Sequence, residues 1–348
     1  MVYLHLRYYS TAWQMIWYNS QSMKYRLELN SEVLERYAGE SLIDSLVRRF
    51  TYHDRNFWLE KIAAGQVRVS GQISEPERVL VTGDIVQFAI DDFTEPDLDI
   101  NYQKIWENDN LILVSKPADL PVHSNRRFFY QTMTSLLRRD EKLPEINPMH
   151  RLDRETSGLM IYLKKPFVSR ALRREPGRII TAKFYLALVN GIFEHESLTV
   201  DAPLREAACP PVYYQMIVAP DGNPARTHFD RIAVGEDCSL LLARLETGRK
   251  HQIRAHLAHL GHPVVGDKLY SHDGHCFLKR CNDEMTKADL EEIGAPHHLL
   301  HAWALALQLP EEGQRVFFSD CFSESWQSRL KKFTTWREQA VQVVNRCI

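Results

Sequence analysis

The stretch His150-Arg151-Leu152-Asp153-Arg154-Glu155-Thr156-Ser157-Gly158-Leu159-Met160-Ile161 sets one carboxylate between two arginines, with a Thr-Ser-Gly turn and an apolar run directly behind it. An aspartate flanked by arginines is ordinarily an exposed ion pair worth well under about 1 kcal/mol. The flanks argue for more here. Thr-Ser-Gly has turn chemistry, and Leu159 to Leu163 is a short apolar run closed by Lys164-Lys165. The spacing predicts a buried strand that delivers Asp153 on a loop, the way rigid scaffolds display reactive groups. Taken alone, the loop implies an ionised carboxylate held beside positive charge.

Further blocks surround this loop. Upstream stands Lys116-Pro117 through Pro121-Val122-His123, and downstream Lys183-Phe184-Tyr185-Leu186-Ala187-Leu188-Val189-Asn190-Gly191. Then come Glu246-Thr247-Gly248-Arg249-Lys250-His251-Gln252-Ile253-Arg254-Ala255-His256, Gly261-His262-Pro263, Gly266-Asp267 and Leu300-His301-Ala302. Together these blocks resemble the RluA family of RNA pseudouridine synthases, in order, over roughly residues 103 to 310, a stricter test than any single motif. Two positions depart from the family pattern: Asp119 and Ser271 each stand where a glycine is usual. Aspartate tolerates positive φ better than most residues, so the first change is compatible with a tight turn.

The resemblance implies a chemistry that can be weighed. Turning uridine into pseudouridine breaks the bond between ribose and base, rotates the uracil and rejoins it through carbon five. No electrons are exchanged and no outside group enters, so neither a redox cofactor nor a metal is expected. A carboxylate can support or attack a sugar of oxocarbenium character, or act as base at the ribose 2′-hydroxyl, and the sequence leaves both routes open. The resemblance makes Asp153 the indispensable catalytic residue and Arg254 its partner, opposing the rise in pKa that burial would bring. The guanidinium fork is expected to hold the carboxylate bidentately, which a lysine could not do. Tyr185, by resemblance, stacks on the uracil and accepts the carbon-five proton. Otherwise it would be a strand aromatic of the core. A base in folded RNA must be flipped out to reach such a pocket, and Arg151 is the candidate to fill the vacated space. Ile253 is expected beneath the uracil. His150, Lys183, Arg249, Arg173 and Arg174 complete the RNA- and base-binding candidates.

Composition bounds the alternatives. The 348 residues are 44% hydrophobic and 25% charged, ordinary globular values with length for two domains. No apolar run approaches the roughly 18 residues of a membrane span. Residues 1 to 27 carry Arg7, Lys24 and Arg26 without an acidic residue, and their apolar positions are interrupted by polar ones. That suits neither a secretory signal nor an arginine-rich transit peptide, so a cytoplasmic, monomeric protein is expected. Six cysteines without a regular framework read as reduced thiols. Net charge is −2, but between Lys164 and Lys183 seven basic residues face Glu175 alone. Such a run is either a solvated helix face or a phosphate-contacting surface.

Residues 91 to 100 hold five acidic residues and a proline, which is linker composition. The predicted organisation is an extension over 1–22, a small α+β domain over 23–92, an acidic linker over 93–102, a catalytic domain over 103–330 and a tail over 331–348. In the first domain, helical spacing over 40–49 and 56–64 precedes an alternating strand over 65–71 and another from Gly83. This pattern resembles the ribosomal-protein-S-four-type RNA-binding module, although nine basic against twelve acidic residues over 23–92 give −3. A packing accessory is the plainer reading. Downstream, strands are predicted over 111–115, 159–163, 184–189, 226–232 and 240–246, with helices near 167–174 and 249–260. That is an α+β domain around a mixed, largely antiparallel sheet, as a pseudouridine synthase fold requires.

The expected partner is structured RNA, with large-subunit ribosomal RNA favoured over transfer RNA because the amino-terminal module resembles that of ribosome-modifying members. Other classes are a non-catalytic RNA-binding or ribosome-assembly protein on the same fold, and a glycosidase, which lacks its second carboxylate. No cysteine falls in a turn with a base nearby, against a cysteine–histidine hydrolase. His272, His275, Cys276 and Cys281 form a rival zinc constellation whose spacing matches no standard finger. Residues 271–299 read instead as an insertion over the catalytic sheet.

Overall fold

The computed structural model describes residues 25–348 apart from 51–52, 126, 166–175, 208–213 and 311. The predicted extension over 1–22 and the helix near 167–174, with Arg173 and Arg174, lie outside the described residues. The chain divides into two compact units, one ending at Asp97 and one spanning Leu98–Ile348.

In the first unit, strands β1 (Tyr25–Glu32), β2 (Val67–Val69), β3 (Gln72–Ile73) and β4 (Ile85–Phe93) form an antiparallel sheet in the order β1-β4-β2-β3. Helices α1 (Leu42–Arg49) and α2 (Arg55–Ala63) begin at side-chain caps, Ser41 accepting from the Asp44 N–H and Asp54 from the Phe57 N–H. Leu42, Leu46, Trp58, Ile62, Val67 and Phe88 form their shared core. The single strand expected over 65–71 is instead half of a tight hairpin. Ser70 and Gly71 both take positive φ (50° and 84°) and join β2 to β3, a two-residue turn that matches strand twist.

The second unit is built on a ten-stranded sheet. Its strands are β5 (Gln103–Glu107), β6 (Leu111–Lys116), β7 (Asn147–Pro148), β8 (Ser157–Leu163), β9 (Ile180–Asn190), β10 (Ser197–Asp201), β13 (Arg226–Val234), β14 (Cys238–Leu245), β15 (Leu300–Leu309) and β16 (Gly313–Phe318). A separate hairpin pairs β11 (Leu204–Glu206) with β12 (Met216–Val218). The main path runs β10-β13-β14-β9-β15-β8-β6-β5, antiparallel except where β8 meets β15 in parallel. This is a mixed sheet of the expected class. Helices α3 (Met133–Asp140), α4 (Gln252–His259), α5 (His275–Cys281), α6 (Lys287–Ile293), α7 (Glu324–Leu330) and α8 (Trp336–Cys347) accompany it. Alternation along β9 sends Tyr185, Ala187 and Val189 into one core with Met160, Ile253 and Leu257, while Phe184, Leu186 and Leu188 enter another with Trp303 and Trp326. The segment set apart as a tail is no appendage. Ala340 and Val344, one turn apart on α8, are buried in that second core. Among the described residues, 271–299 contain α5 and α6.

The Thr-Ser-Gly turn is explained at the parallel junction. Ser157 pairs with His301 and Gly158 with Ala302, and the Ser157 hydroxyl lies 2.7 Å from His301 Nδ1. Gly158 has φ +104°, and a Cβ there would lie 2.3 Å from the Ala302 carbonyl oxygen. Only glycine permits both the torsion and the approach. Gly158→Ala is therefore expected to destabilise the second unit by about 2–4 kcal/mol, read as a lowered unfolding midpoint in denaturant. A parent-like midpoint would show that β8 and β15 can separate at no cost.

Candidate active site

Asp153 sits on the loop entering β8, and buried groups tie that loop in place. Thr156 N–H donates to the Asp153 carbonyl at 3.2 Å, and Leu152 is buried. Lys116, the lysine of the Lys-Pro block, is wholly buried and donates to the carbonyls of Pro117, Leu120 and Arg154, each at 2.9 Å. Burial pulls its ammonium down to about 7, against the raising influence of Asp119 and Asp153. It thus fastens the segment around Asp119 to the loop of Asp153, a function the sequence reading did not assign.

Opposite stands α4, entered through His251 in the left-handed conformation (φ 54°). Arg254 donates from Nη1 to Asp153 Oδ2 at 2.7 Å. Its fork does not grip Asp153 as expected. Nε and Nη2 instead donate to Asp267 Oδ2 and Oδ1 at 2.6 and 2.8 Å. Asp267 is fully buried, and its Oδ1 also accepts the Leu269 and Tyr270 N–H groups at 3.0 and 3.1 Å. The guanidinium carbon lies 5.0 Å from the Tyr270 ring centroid. Geometry explains the difference, because a planar fork serves one carboxylate bidentately and Asp267, locked in the core, takes that place. The Gly-Asp block was the available signal for Asp267.

The Asp153 side chain is 26% exposed. Burial would raise its pKa, but His251, Arg254 and His298 together hold it well below the ordinary carboxylate range. At neutral pH the imidazoles carry no charge, since burial brings His251 down to about 4 and His298 well below its usual value. Arg254 is then the permanent counter-charge. Oδ1 of Asp153 faces His251 Nε2 at 3.8 Å, outside hydrogen-bond reach.

Tyr185 is buried on β9 between Ala243 and Ala302, in the same core as Ile253. Burial and the charge of Asp153 hold its phenol above the usual range. Lys183, two residues earlier, has its ammonium held below the usual value by burial. Among the described ion pairs it has no carboxylate, and its Nζ is 3.6 Å from where a Cβ on Gly248 would lie. His150 is brought to about 3, chiefly by burial and then by Lys183, and its Nε2 accepts the Ile161 N–H at 3.4 Å. Arg151 is exposed. Arg249 is turned aside, donating from Nε to the Pro224 carbonyl at 2.9 Å. The structure therefore brings Asp153, Arg254, Tyr185 and Ile253 into one neighbourhood.

The rival constellation is not assembled. His272 pairs with Glu292 at 3.3 Å, Cys276 is buried and Cys281 exposed. Among the described residues the one group of three converging ligand atoms is Asp119, Glu155 and His297. It is already filled with cationic side chains, Arg154, Lys268 and Arg280. Asp119 has φ 64°, the left-handed turn expected where a glycine is usual.

Residues 110–259 match the RNA pseudouridylate synthase family model. The chain belongs to that family. The mitochondrial tRNA pseudouridine(32) synthase of Saccharomyces cerevisiae is 30% identical over 242 residues, covering 69% of this chain and 52% of that protein. The ribosomal large subunit pseudouridine synthase D of Nitrosomonas europaea is 35% identical over 215 residues, or 60% and 59% of the two chains. The chain thus spans little more than half the length of these curated relatives. The solved human RNA pseudouridylate synthase domain containing 1 shares the fold at TM-score 0.50 and 23% identity, over 65% of this chain and 85% of that one. No helix among the described residues is long and apolar enough to cross a membrane.

A family site with so many buried neutral imidazoles carries a pH signature. His150, His251, His297, His298 and His301 all have folded pKa values below the unfolded one. The unfolded chain binds the extra protons, so their stabilisation is complete above about pH 6.5 and is lost as pH falls toward 4. Burial, against the raising influence of the Ser319 carbonyl and Asp320, brings His301 from 6.5 to about 4, worth about 3 kcal/mol by that relation. Denaturant unfolding at pH 7, 5.5 and 4.5 is expected to show a steadily falling midpoint, and His301→Gln a shallower fall. A flat profile would mean these imidazoles are solvated.

Proposed function

We propose that this protein is an RNA pseudouridine synthase that isomerises a uridine in structured RNA. The observation that carries the reading is the Asp153–Arg254–Asp267 arrangement, an ionised aspartate with one oxygen unengaged, beside a buried tyrosine of the same sheet. A carboxylate so held serves as nucleophile at the anomeric carbon or as base at the 2′-hydroxyl. The bond from carbon 1′ to nitrogen one breaks, the uracil turns, carbon five bonds to carbon 1′, the carbon-five proton leaves and nitrogen one takes up a proton, so the product is an isomer. Arg254 supplies fixed positive charge throughout.

Tyr185 offers the uracil a face to stack on and Ile253 lines the same pocket. In the free protein, burial and Asp153 keep the phenol protonated. Once Asp153 is esterified or protonated, the second influence lapses, which brings the phenol closer to base duty at the end of the reaction. Lys183, partly buried and without a carboxylate partner, suits the phosphate of the flipped nucleotide. Arg151, exposed on the loop, suits the gap in the RNA left by the flipped base. Arg249, although turned toward the Pro224 carbonyl, is proposed with Arg173 and Arg174 as an RNA contact from the sequence pattern. One chain supplies every group in this account, in keeping with a monomer. The five described cysteines are free thiols, in keeping with the cytoplasm.

Asp153→Asn keeps the shape and removes the charge. Tritium release from carbon-five-labelled RNA is expected to fall at least about 10³-fold, with RNA affinity within a few-fold. Full activity in that variant would end the proposal. Tyr185→Phe is expected to permit detachment of the base while slowing the last proton removal.

The first unit is proposed to contact the RNA, despite its net charge. Arg36, Arg48 and Arg49 place their guanidinium carbons 4.7, 4.5 and 5.9 Å from the Tyr37 ring centroid. Among the described ion pairs only Arg48 meets a carboxylate, Glu40 at 2.6 Å. Gathering three like charges is costly unless a polyanion relieves it. Large-subunit ribosomal RNA is the substrate we favour, on the resemblance of the sequence pattern over 23–92 to the ribosomal-protein-S-four-type module. Transfer RNA is the second reading, supported by the yeast relative. Changing Arg36 and Arg49 together to Gln is expected to reduce the log–log salt slope of RNA binding by about two and leave kcat on a short RNA unchanged. An unchanged slope would assign the unit to packing.

A further inference from the structure

Behind the Asp153 loop lies a partly buried network of charges that the proposed chemistry does not itself use. Asp119 accepts from Arg154, Nε donating to its backbone carbonyl at 3.1 Å and Nη2 to Oδ2 at 3.0 Å, with Nε also 2.8 Å from Oδ1 in an ion pair. Glu155 accepts from Lys268 Nζ at 3.1 and 3.2 Å and from the His298 N–H at 3.0 Å. These pairs anchor the two residues that follow Asp153. Arg154 and Lys268 each serve one carboxylate. Arg280 alone among the described residues serves both, Nη2 meeting Asp119 Oδ1 and Nη1 meeting Glu155 Oε1.

Arg280 comes from α5, far along the chain and inside the segment 271–299. The helix that delivers it is itself moored to the site. Phe277 N–H donates to the Lys268 carbonyl at 3.0 Å, and the Phe277 ring packs against the small core that holds Ala255 and Tyr270. Ala255 adjoins Arg254, and Tyr270 lies under its guanidinium. Asp119 meets Arg280 from a backbone in the left-handed turn, at φ 64°. A glycine in that position would make the turn and leave Arg280 with one partner.

We propose that Arg280 is a positioning residue for the reaction, bridging Asp119 and Glu155 so that the loop between them presents Asp153 to Arg254. The segment 271–299 is then a part of the active site. Two independently cation-bound carboxylates would let the loop pivot, whereas a shared guanidinium fixes their separation. A planar fork can do this and an ammonium cannot. Misplacement of a reacting group by about 1 Å costs up to roughly 10²-fold in rate, so the effect belongs in kcat and not in RNA affinity.

This inference rests on the proposed role of Asp153, and the test separates the two. Hydrogen exchange followed by mass spectrometry reads the order of the loop without any turnover. In full-length Arg280→Gln, the amides of residues 152–157 are expected to lose protection about ten-fold or more, while those of the first unit stay as in the parent. On a short RNA, kcat is expected to fall about ten-fold or more with KM within about two-fold. Arg280→Lys should fall between, having the charge without the fork. Asp119→Gly, which keeps the turn but also frees Arg154, should lower kcat, and combined with Arg280→Gln the loss should be smaller than the product of the two single losses. Parent-like loop protection in Arg280→Gln would overturn the inference, as would unchanged kcat or strictly additive losses. Absence of turnover in the intact chain would instead strike the proposed function, and the exchange experiment would still decide whether Arg280 orders the loop.

Discussion

Everything in the second unit is arranged around an ion triplet, Asp267–Arg254–Asp153. Removing a guanidinium from water costs several kcal/mol, recovered only with good geometry and saturated hydrogen bonds. Asp267 meets that condition. Its two oxygens take Nε and Nη2, and two backbone N–H groups fix its own orientation. Arg254 therefore has one N–H left to aim, and that bond holds Asp153 by Oδ2 alone. A bidentate grip on Asp153 would have occupied both of its oxygens. The single bond keeps the charge fixed and leaves Oδ1 without a hydrogen-bond partner among the described residues.

The triplet needs its two halves brought together from residues about a hundred apart, and the sheet does this. Asp153 hangs from the start of β8 and Arg254 from the first turn of α4. The parallel junction of β8 with β15 sets the height of the loop, through Ser157 on His301 and Gly158 against the Ala302 backbone. His301 in turn lies 3.0 Å, at Nε2, from the Ser319 carbonyl. Serine, glycine and histidine from distant motifs are thus one joint, and their chemistry is mechanical. The same holds for Lys116, whose three carbonyl partners make it a fastener in the interior.

Much of this was legible in the sequence because it is local. Alternation and apolar runs placed the strands over 111–115, 159–163 and 184–189 inside the observed β6, β8 and β9, and the helical spacing over 40–49 and 56–64 near α1 and α2. The Asp153 loop and the Arg254 segment were legible through their resemblance to the RluA-family blocks, since the residues alone implied only a carboxylate held beside positive charge. What could not be read depends on three-dimensional partnership. The competition between Asp267 and Asp153 for one guanidinium has no sequence signature, and neither does Arg280, which becomes informative only when α5 lies over Asp119. Ser70-Gly71 was read as the end of a strand because a two-residue hairpin and a strand end share the same residues. The final helix was set aside as a tail because only Ala340 and Val344 of its inner face are buried, too sparse an apolar stripe to stand out.

The electrostatics also bear on the proposed binding of RNA. A flipped base closing over the site would remove the remaining exposure of Asp153, and desolvation by itself pushes a carboxylate toward its neutral form. A carboxyl starting near the ordinary value could be neutralised by its own substrate. Asp153 starts far below it, and the counter-charge responsible, Arg254, is buried already. Expelling water from around the pair, which is already in direct contact at 2.7 Å, strengthens its attraction as it weakens solvation. The two changes oppose one another, so the aspartate can remain ionised at the moment its charge is used. That argument depends on Arg254 being held by something other than Asp153, which is what Asp267 provides.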